Sequence, residues 1–157
     1  MFKGKIFERG FTVIELFIVV LIVGILSLIV VNKYSSFREV QVISNTVEEI
    51  TALIDEAHNR TLAGDNATTY GVHLESGKAV LFAGTTYSSG ASTNKTIAVD
   101  SMATIASISL AGGGAEIKFD ALTGDTSQYG TFIVKLASST SGQKTVTISK
   151  TGFVSSN

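Results

Sequence analysis

The sequence contains no cysteine, no proline and no tryptophan. Without cysteine it has no disulfide, and no thiolate that would bind a metal or carry out redox chemistry. Charged residues make up only 16% of the 157 positions and the formal net charge is −1, so no overall basic field attracts nucleic acid. The stability of this chain must therefore come from packing and assembly.

Apolar residues make up 45% of the chain, and many of them lie in one block near the N-terminus. The block covers residues 11–31 and is interrupted only by Thr12, Glu15, Gly24 and Ser27. As a helix it would extend roughly 31 Å, the thickness of one bilayer core. The sequence predicts a transmembrane helix here.

Three cations precede this block, at Lys3, Lys5 and Arg9. By the positive-inside rule they place the N-terminus in the cytoplasm and everything after Asn32 outside the membrane. An ordinary signal peptide fits poorly, because its apolar region is shorter and ends at a small-residue cleavage site. A simple signal anchor remains an alternative.

Glu15 is the residue that a simple anchor does not explain. A carboxylate inside an apolar membrane helix costs about 2.5 kcal/mol or more unless a partner compensates it. Cleavage between Gly10 and Phe11 would create an amino group at Phe11, four residues before Glu15. A neighbouring copy, shifted along the helix axis, could bring such an amine to this carboxylate.

The segment from Arg9 to Leu16, RGFTVIEL, resembles the prepilin cleavage and methylation motif of type IV pilins, pseudopilins and related competence pilins. The resemblance covers residues 9–31. It implies that a prepilin peptidase cuts after Gly10 and methylates the new N-terminus at Phe11. It also implies that Glu15 pairs with the N-terminal amine of an adjacent subunit. Other implied partners are pilin or pseudopilin subunits, an inner-membrane assembly platform and membrane lipid.

Beyond Val31 the composition becomes mixed, but apolar residues recur every three or four positions. They are Val40, Ile43, Val47, Ile50, Ile54 and Ala57. With no proline or glycine from residue 25 to 63, this pattern predicts one helix over about 12–62, closed by a glycine cap at 63–66. Its second half is expected to pack this stripe against a sheet. Many major pilins have a proline near the end of the apolar run, and this sequence has none.

From Thr69 onward the apolar period becomes two, between clusters of glycine and serine. Strands are predicted at 69–74, 78–83, 96–100, 104–110, 115–120, 131–137 and 144–149. Hairpin turns are predicted at Glu75–Gly77, Ala111–Gly114 and Ser139–Gly142. The fold class is α+β, with a long N-terminal helix on an antiparallel sheet domain. The chain then divides into a leader (1–10), a transmembrane and assembly helix (11–31), an amphipathic continuation (32–63) and a globular pilin domain (64–157).

The order of these pieces carries a second resemblance, to the GspH/FimT-type pseudopilin domain. The residues that carry it are Tyr70–Leu74, Ala79–Phe82, Ile117–Asp120, Thr145–Ser149 and Thr151–Val154. That group joins minor pseudopilins of type II secretion to minor pilins of type IV systems.

The sequence offers no support for enzymatic chemistry. It contains no thiol, nucleophile motif or phosphate-binding loop, and its only histidines, His58 and His73, are interpreted as an ordinary helix-end residue and an ordinary strand residue. Asp120 and Asp125 offer oxygens to Ca²⁺, but two acids are a thin basis for a site. We expect neither a metal nor a cofactor.

The function predicted from sequence is a structural subunit of a type IV pilus or a type II secretion pseudopilus. The chain is expected first in the inner membrane, with its C-terminal domain in the periplasm or at the cell surface, and then in an extracellular filament or pseudopilus. One alternative is a minor tip pilin that binds DNA, a surface or a secretion cargo. The other is an anchored domain that stays monomeric. DNA binding is disfavoured, because the tail after Lys150 has no further cation and removing residues 1–10, with a net charge of +2, leaves −3.

Overall fold

The computed structural model describes residues 10–138 and 142–157, with the backbone alone at 29–36. The chain divides into two compact units between Phe37 and Arg38, and each is described by itself. The predicted leader, 1–10, lies outside the described residues except for Gly10.

One α-helix, α1, runs over Val13–Leu62, as the sequence predicts to within one residue. It starts after Thr12 because the Thr12 Oγ1 accepts a hydrogen bond from the Glu15 N–H at 3.3 Å, which makes Thr12 the N-cap. It ends at Gly64, whose φ of 63° lies in the left-handed region that glycine adopts without strain. A short 3₁₀ turn, Asp65–Ala67, follows.

Eight strands follow the helix. They are β1 (Tyr70–Glu75), β2 (Lys78–Ala83), β3 (Lys95–Ala98), β4 (Ala103–Leu110), β5 (Glu116–Lys118), β6 (Gly130–Leu136), β7 (Gln143–Ile148) and β8 (Val154–Ser156). The seven predicted strands are confirmed, with small shifts at their ends. Strand β8 was not predicted, because its three residues are too few to show an alternating pattern.

The strands form two four-stranded antiparallel sheets, where one sheet was expected. Sheet A has the order β3-β2-β1-β5 and sheet B the order β4-β6-β7-β8. The fold is therefore α+β, with both sheets contributing to one core around the second half of α1. The division into two sheets follows from the long-range pairing of β5 with β1 rather than with β4.

The predicted turns had different outcomes. The Glu75–Gly77 hairpin is confirmed, because Glu75 pairs with Lys78 in the β1–β2 ladder. The hairpin predicted at Ala111–Gly114 is wrong: this segment connects β4 of one sheet to β5 of the other. Its glycines still make the turn, through positive φ angles of 74° to 83°. In the third turn, residues 139–141 lie outside the described part, and the flanking strands β6 and β7 pair as expected.

The second half of α1 buries its apolar stripe in this core. Ile43, Val47, Ile50, Ile54 and Ala57 are at most 3% exposed, and they pack with aromatic and aliphatic side chains of both sheets. Val40 was expected in the same stripe, but it is 60% exposed. The core begins at Ile43, so the periodic pattern extends one turn beyond the surface that covers it.

Candidate functional site

The predicted cleavage site lies in non-helical backbone. Gly10, Phe11 and Thr12 precede the first helical residue and all three are exposed, with Phe11 at 81%. Apart from its chain neighbours, no described residue has a heavy atom within 4 Å of the position that a Cβ would take on Gly10. The bond between Gly10 and Phe11 is therefore accessible in the described part of the chain. The cations Lys3, Lys5 and Arg9 lie outside it.

Thr12 and Glu15 together form the start of α1. The spacing Thr-x-x-Glu is that of a capping box, and the Thr12 hydroxyl satisfies the Glu15 N–H. Glu15 thus occupies the third helical position, exposed, at the positive end of the helix dipole. Glu15 was singled out from the sequence, but the capping role of Thr12 was not, although the Thr-x-x-Glu spacing is a sufficient signal for it.

The helix surface from Val13 to Leu28 is apolar on every side. Its large apolar side chains are exposed, from 46% at Val19 to 73% at Val13. Glu15 is the one charged residue of this stretch. Two further interruptions are accommodated locally: the Ser27 hydroxyl donates to the Val23 carbonyl at 2.7 Å, and Gly24, which has no side chain, leaves open space. An all-round apolar helix is one that another apolar phase or other chains must cover.

A shallow groove of about 460 Å³ follows the first turns of this surface. It is lined only by apolar side chains, those of Ile14, Phe17, Ile18, Val20 and Leu21. The aromatic ring of Phe17 and the branched side chains beside it give this surface the knobs and hollows that helix packing uses.

The transmembrane helix predicted at 11–31 includes residues 29–31, which lie outside those whose side chains are described. Among the residues searched, no helix combines the length and the hydropathy that a membrane crossing requires.

His58 was interpreted as a helix-end histidine; it does lie in the last turns of α1, and its ring packs between two aromatic rings. Its ring lies 5.2 Å from that of Phe119 and 5.9 Å from that of Phe153. Its Nε2 is buried and has no hydrogen-bond partner among the described residues. His58 therefore contributes to the packing of the last turns of α1.

Arg60 forms the polar contacts at the end of α1. Its guanidinium lies 2.7 Å from the Asp65 carboxylate and 4.2 Å from the centre of the Tyr70 ring. The hydrogen bond from Arg60 and a second one from Tyr70 lower the pKa of Asp65, and the same bond with Asp65 raises the pKa of Arg60. The Arg60–Asp65 ion pair, together with Tyr70, connects the turn after α1 to the start of β1.

His73 lies at the rim of an open cavity of about 400 Å³, beside Gly112–Gly114. Its ring stacks on Tyr87 at 4.1 Å, with carboxylate oxygens of Glu75 and Glu116 at 3.6 and 3.8 Å. The described residues hold no group of three histidine or acidic side chains arranged to bind a metal. Asp120 and Asp125 are joined through their backbone, from the Asp120 N–H to the Asp125 carbonyl at 2.9 Å.

Comparison with known proteins finds similarity to two fimbrial proteins of Pseudomonas aeruginosa. Each match is 39% identical over 57 residues, which is 36% of this chain and 37% of the relative. The chain thus spans little more than a third of the length of the curated relatives that it matches. No protein-family model matches the chain, and no solved structure matches it.

Proposed function

We propose that this chain is a structural subunit of a pilus-type filament of the pilin class, and that it acts mechanically rather than as an enzyme. The observation that carries the proposal is the apolar surface of Val13–Leu28, exposed on all sides, with one carboxylate at its start. The similarity to fimbrial proteins and the α+β fold with a long N-terminal helix support it.

In this proposal a prepilin peptidase cuts the accessible bond between Gly10 and Phe11 and methylates the new amine at Phe11. The position of the helix start supports the cut. Because Thr12 caps α1, removal of residues 1–10 leaves the first helical turn and its hydrogen bond intact. The reaction exchanges a cationic leader for one amine, two residues before the helix.

The new amine and Glu15 are complementary charges in an apolar environment. Each alone would lose hydration on transfer to lipid or to a helix bundle, at a cost of a few kcal/mol. Pairing between the Phe11 amine of one subunit and the Glu15 carboxylate of the next offsets part of both costs through Coulomb attraction. Assembly is thereby favoured in one axial register.

Before assembly, the helix at 11–31 serves as a single membrane anchor, with the N-terminus in the cytoplasm and the β-rich unit outside. In the filament the same apolar surface packs against copies of itself. An inner-membrane assembly platform transfers subunits from lipid to filament. The apolar groove at Ile14–Leu21 is a surface suited to both lipid tails and a neighbouring helix.

The test is substitution of the carboxylate, with a matched control on the same helix. Glu15→Gln keeps the shape of the side chain and removes the charge, and we expect the filament fraction to fall sharply while the membrane-bound amount is unchanged or higher. Glu48→Gln changes another exposed carboxylate of α1 and should assemble normally. Normal filament yield from Glu15→Gln would refute the charge pairing.

A further inference from the structure

The edge strand β3 meets α1 at both of its ends, and the charges at the two ends differ. At its first residue, the Lys95 Nζ lies 2.6 Å from the Glu56 Oε2 on α1, an ion pair that links the strand to the helix. Beyond its last residue, Asp100 lines the same cavity as Glu49 of α1, and both side chains are acidic. Like charges on two facing elements repel each other unless a cation lies between them.

This cavity is open and measures about 250 Å³, and we call it the β3–α1 cleft. Its lining residues are Val42, Asn45, Thr46, Glu49, Ala98 and Asp100. Neither Glu49 nor Asp100 forms an ion pair with a described residue. Lys78, which pairs with Ala98 from the neighbouring strand β2, bonds instead with Glu75 at 3.3 Å. The cleft therefore carries two negative charges without a counterion from the described part of the chain.

Thr46 is a buried polar residue in the wall of the cleft. It is only 5% exposed, and it lines the cavity. A helical threonine often donates its hydroxyl to the carbonyl four residues earlier, as Thr61 does to Ala57 at 2.8 Å. The Thr46 hydroxyl makes no hydrogen bond with any described residue. A buried hydroxyl without a partner is unfavourable, so this oxygen is available to a ligand in the cleft.

The end of β3 adds backbone and carboxylate oxygens to the cleft. The Val99 N–H donates to the Gly77 carbonyl at 2.9 Å, so Val99 faces β2. Because successive residues of a strand alternate, the N–H and carbonyl of Ala98 point away from β2, to the free edge that lines the cleft. The Asp100 Oδ1 accepts a hydrogen bond from the Met102 N–H at 2.8 Å. This bond fixes the Asp100 carboxylate at the end of the strand and leaves its second oxygen for a ligand.

We propose that the β3–α1 cleft binds a calcium ion. The ligands are all oxygens: the carboxylates of Glu49 and Asp100, the Thr46 hydroxyl, the Ala98 carbonyl and the Asn45 amide oxygen. Calcium takes six to eight such oxygens in a flexible geometry, with water completing the set, and an open cleft admits water. Among the described residues that line the cleft there is no histidine, and the chain has no cysteine. Oxygen ligands alone favour calcium over zinc or copper.

The calcium ion links the end of β3 to α1, as the Lys95–Glu56 ion pair links its start. Only two of its ligands are charged and the rest are neutral oxygens, which sets the strength of the site. We expect a Kd of about 10⁻⁴–10⁻³ M, the range of extracellular calcium-binding modules. The inference concerns the β-rich unit and does not depend on the filament function proposed above.

The test is titration of the full-length chain in zwitterionic detergent with CaCl₂ at constant ionic strength, after calcium has been removed with EGTA. We expect saturable binding in calorimetry, and amide NMR shifts centred on residues 45–49 and 98–100. Glu49→Gln and Asp100→Asn should each weaken binding about tenfold, since each removes a charged ligand. Glu48→Gln removes the same charge one position along α1, outside the cleft, and should change the Kd by less than about twofold.

Thr46→Val tests the buried ligand, because it replaces the hydroxyl with a methyl group of the same shape. We expect about threefold weaker calcium binding, with thermal unfolding in EGTA at the temperature of the unsubstituted chain or above it. MgCl₂ should bind about tenfold more weakly, because Mg²⁺ requires a stricter octahedral geometry and gives up water reluctantly. The proposal is overturned by no saturable binding up to about 10 mM CaCl₂, by equal weakening in Glu48→Gln, by equal affinity for MgCl₂ or by amide shifts centred elsewhere. None of these outcomes bears on filament assembly, which the Glu15→Gln experiment tests separately.

Discussion

Two stretches of one helix are both apolar, and they differ in how their apolar residues are arranged. From Val13 to Leu28 the apolar side chains point to every side of α1 and are exposed. From Ile43 to Ala57 they recur at spacings of three and four and are buried by the sheets. A helix with a narrow apolar stripe needs cover on one side only, and other segments of the same chain can provide it. A helix that is apolar all round needs cover on all sides, which lipid or several neighbouring helices provide.

The comparison predicts that the two stretches respond oppositely to the same substitution. Ile54→Ala, at a side chain 0% exposed, should lower the free energy of unfolding by about 2–5 kcal/mol, through lost burial and a cavity. Ile22→Ala, at a side chain 49% exposed, should change it by less than about 0.5 kcal/mol. Denaturant titration of the full chain in detergent measures both. Equal effects at the two positions would abolish the distinction.

The covered stretch extends to the last turn of the helix, where His58 packs under glycine turns. Gly124→Ala introduces a Cβ that overlaps the His58 Nε2, at a φ of +71°, and we expect a loss of about 2–4 kcal/mol in unfolding free energy. Gly113→Ala meets a similar φ of +74° but open space, so only the backbone cost of about 1–2 kcal/mol applies. A smaller loss at Gly124 than at Gly113, by thermal or denaturant unfolding, would show that His58 is not tightly held.

The stability of the first turn of the exposed stretch depends on the Thr12 cap rather than on packing. Thr12→Ala removes the acceptor of the Glu15 N–H and should destabilise the first turn by about 1 kcal/mol. Amide exchange at Glu15 and Leu16 in detergent should become several times faster, with global unfolding unchanged. Thr51→Ala, inside the same helix, is the control and should leave exchange at the N-terminus unaltered.

The smallest effect is expected at the polar end of the covered stretch. Hydrogen bonds from Arg60 and Tyr70 hold the pKa of Asp65 below its ordinary value of 3.8. The ionised form is therefore favoured by folding: its stabilisation is present above pH 3.8 and is lost as the pH falls through the lower folded pKa. Asp65→Asn should flatten this part of the pH dependence of urea unfolding. An unaltered acid limb would mean that the pair does not contribute.

Much of the local structure could be predicted because its signals are local. The apolar period gave α1 to within one residue of its start, glycine marked its end at Gly64, and alternation located seven strands. The residues of the candidate site could also be predicted from the sequence, because Gly10, Phe11 and Glu15 lie within six consecutive residues. Their cleavage, methylation and pairing stay predictions, and the experiment on Glu15 tests the last of them.

The sequence by itself determined the elements, the exposed helix and the residues at its start, since each depends on neighbours within about a turn of the chain. Tertiary structure alone decided that β5 pairs with β1, so that the glycines at 112–114 connect two sheets. It also decided that Val40 is uncovered and that two turns far apart in the chain meet on the ring of His58. These outcomes depend on contacts between residues far apart in the chain, and a local pattern carries no information about which distant strand or turn will lie beside it.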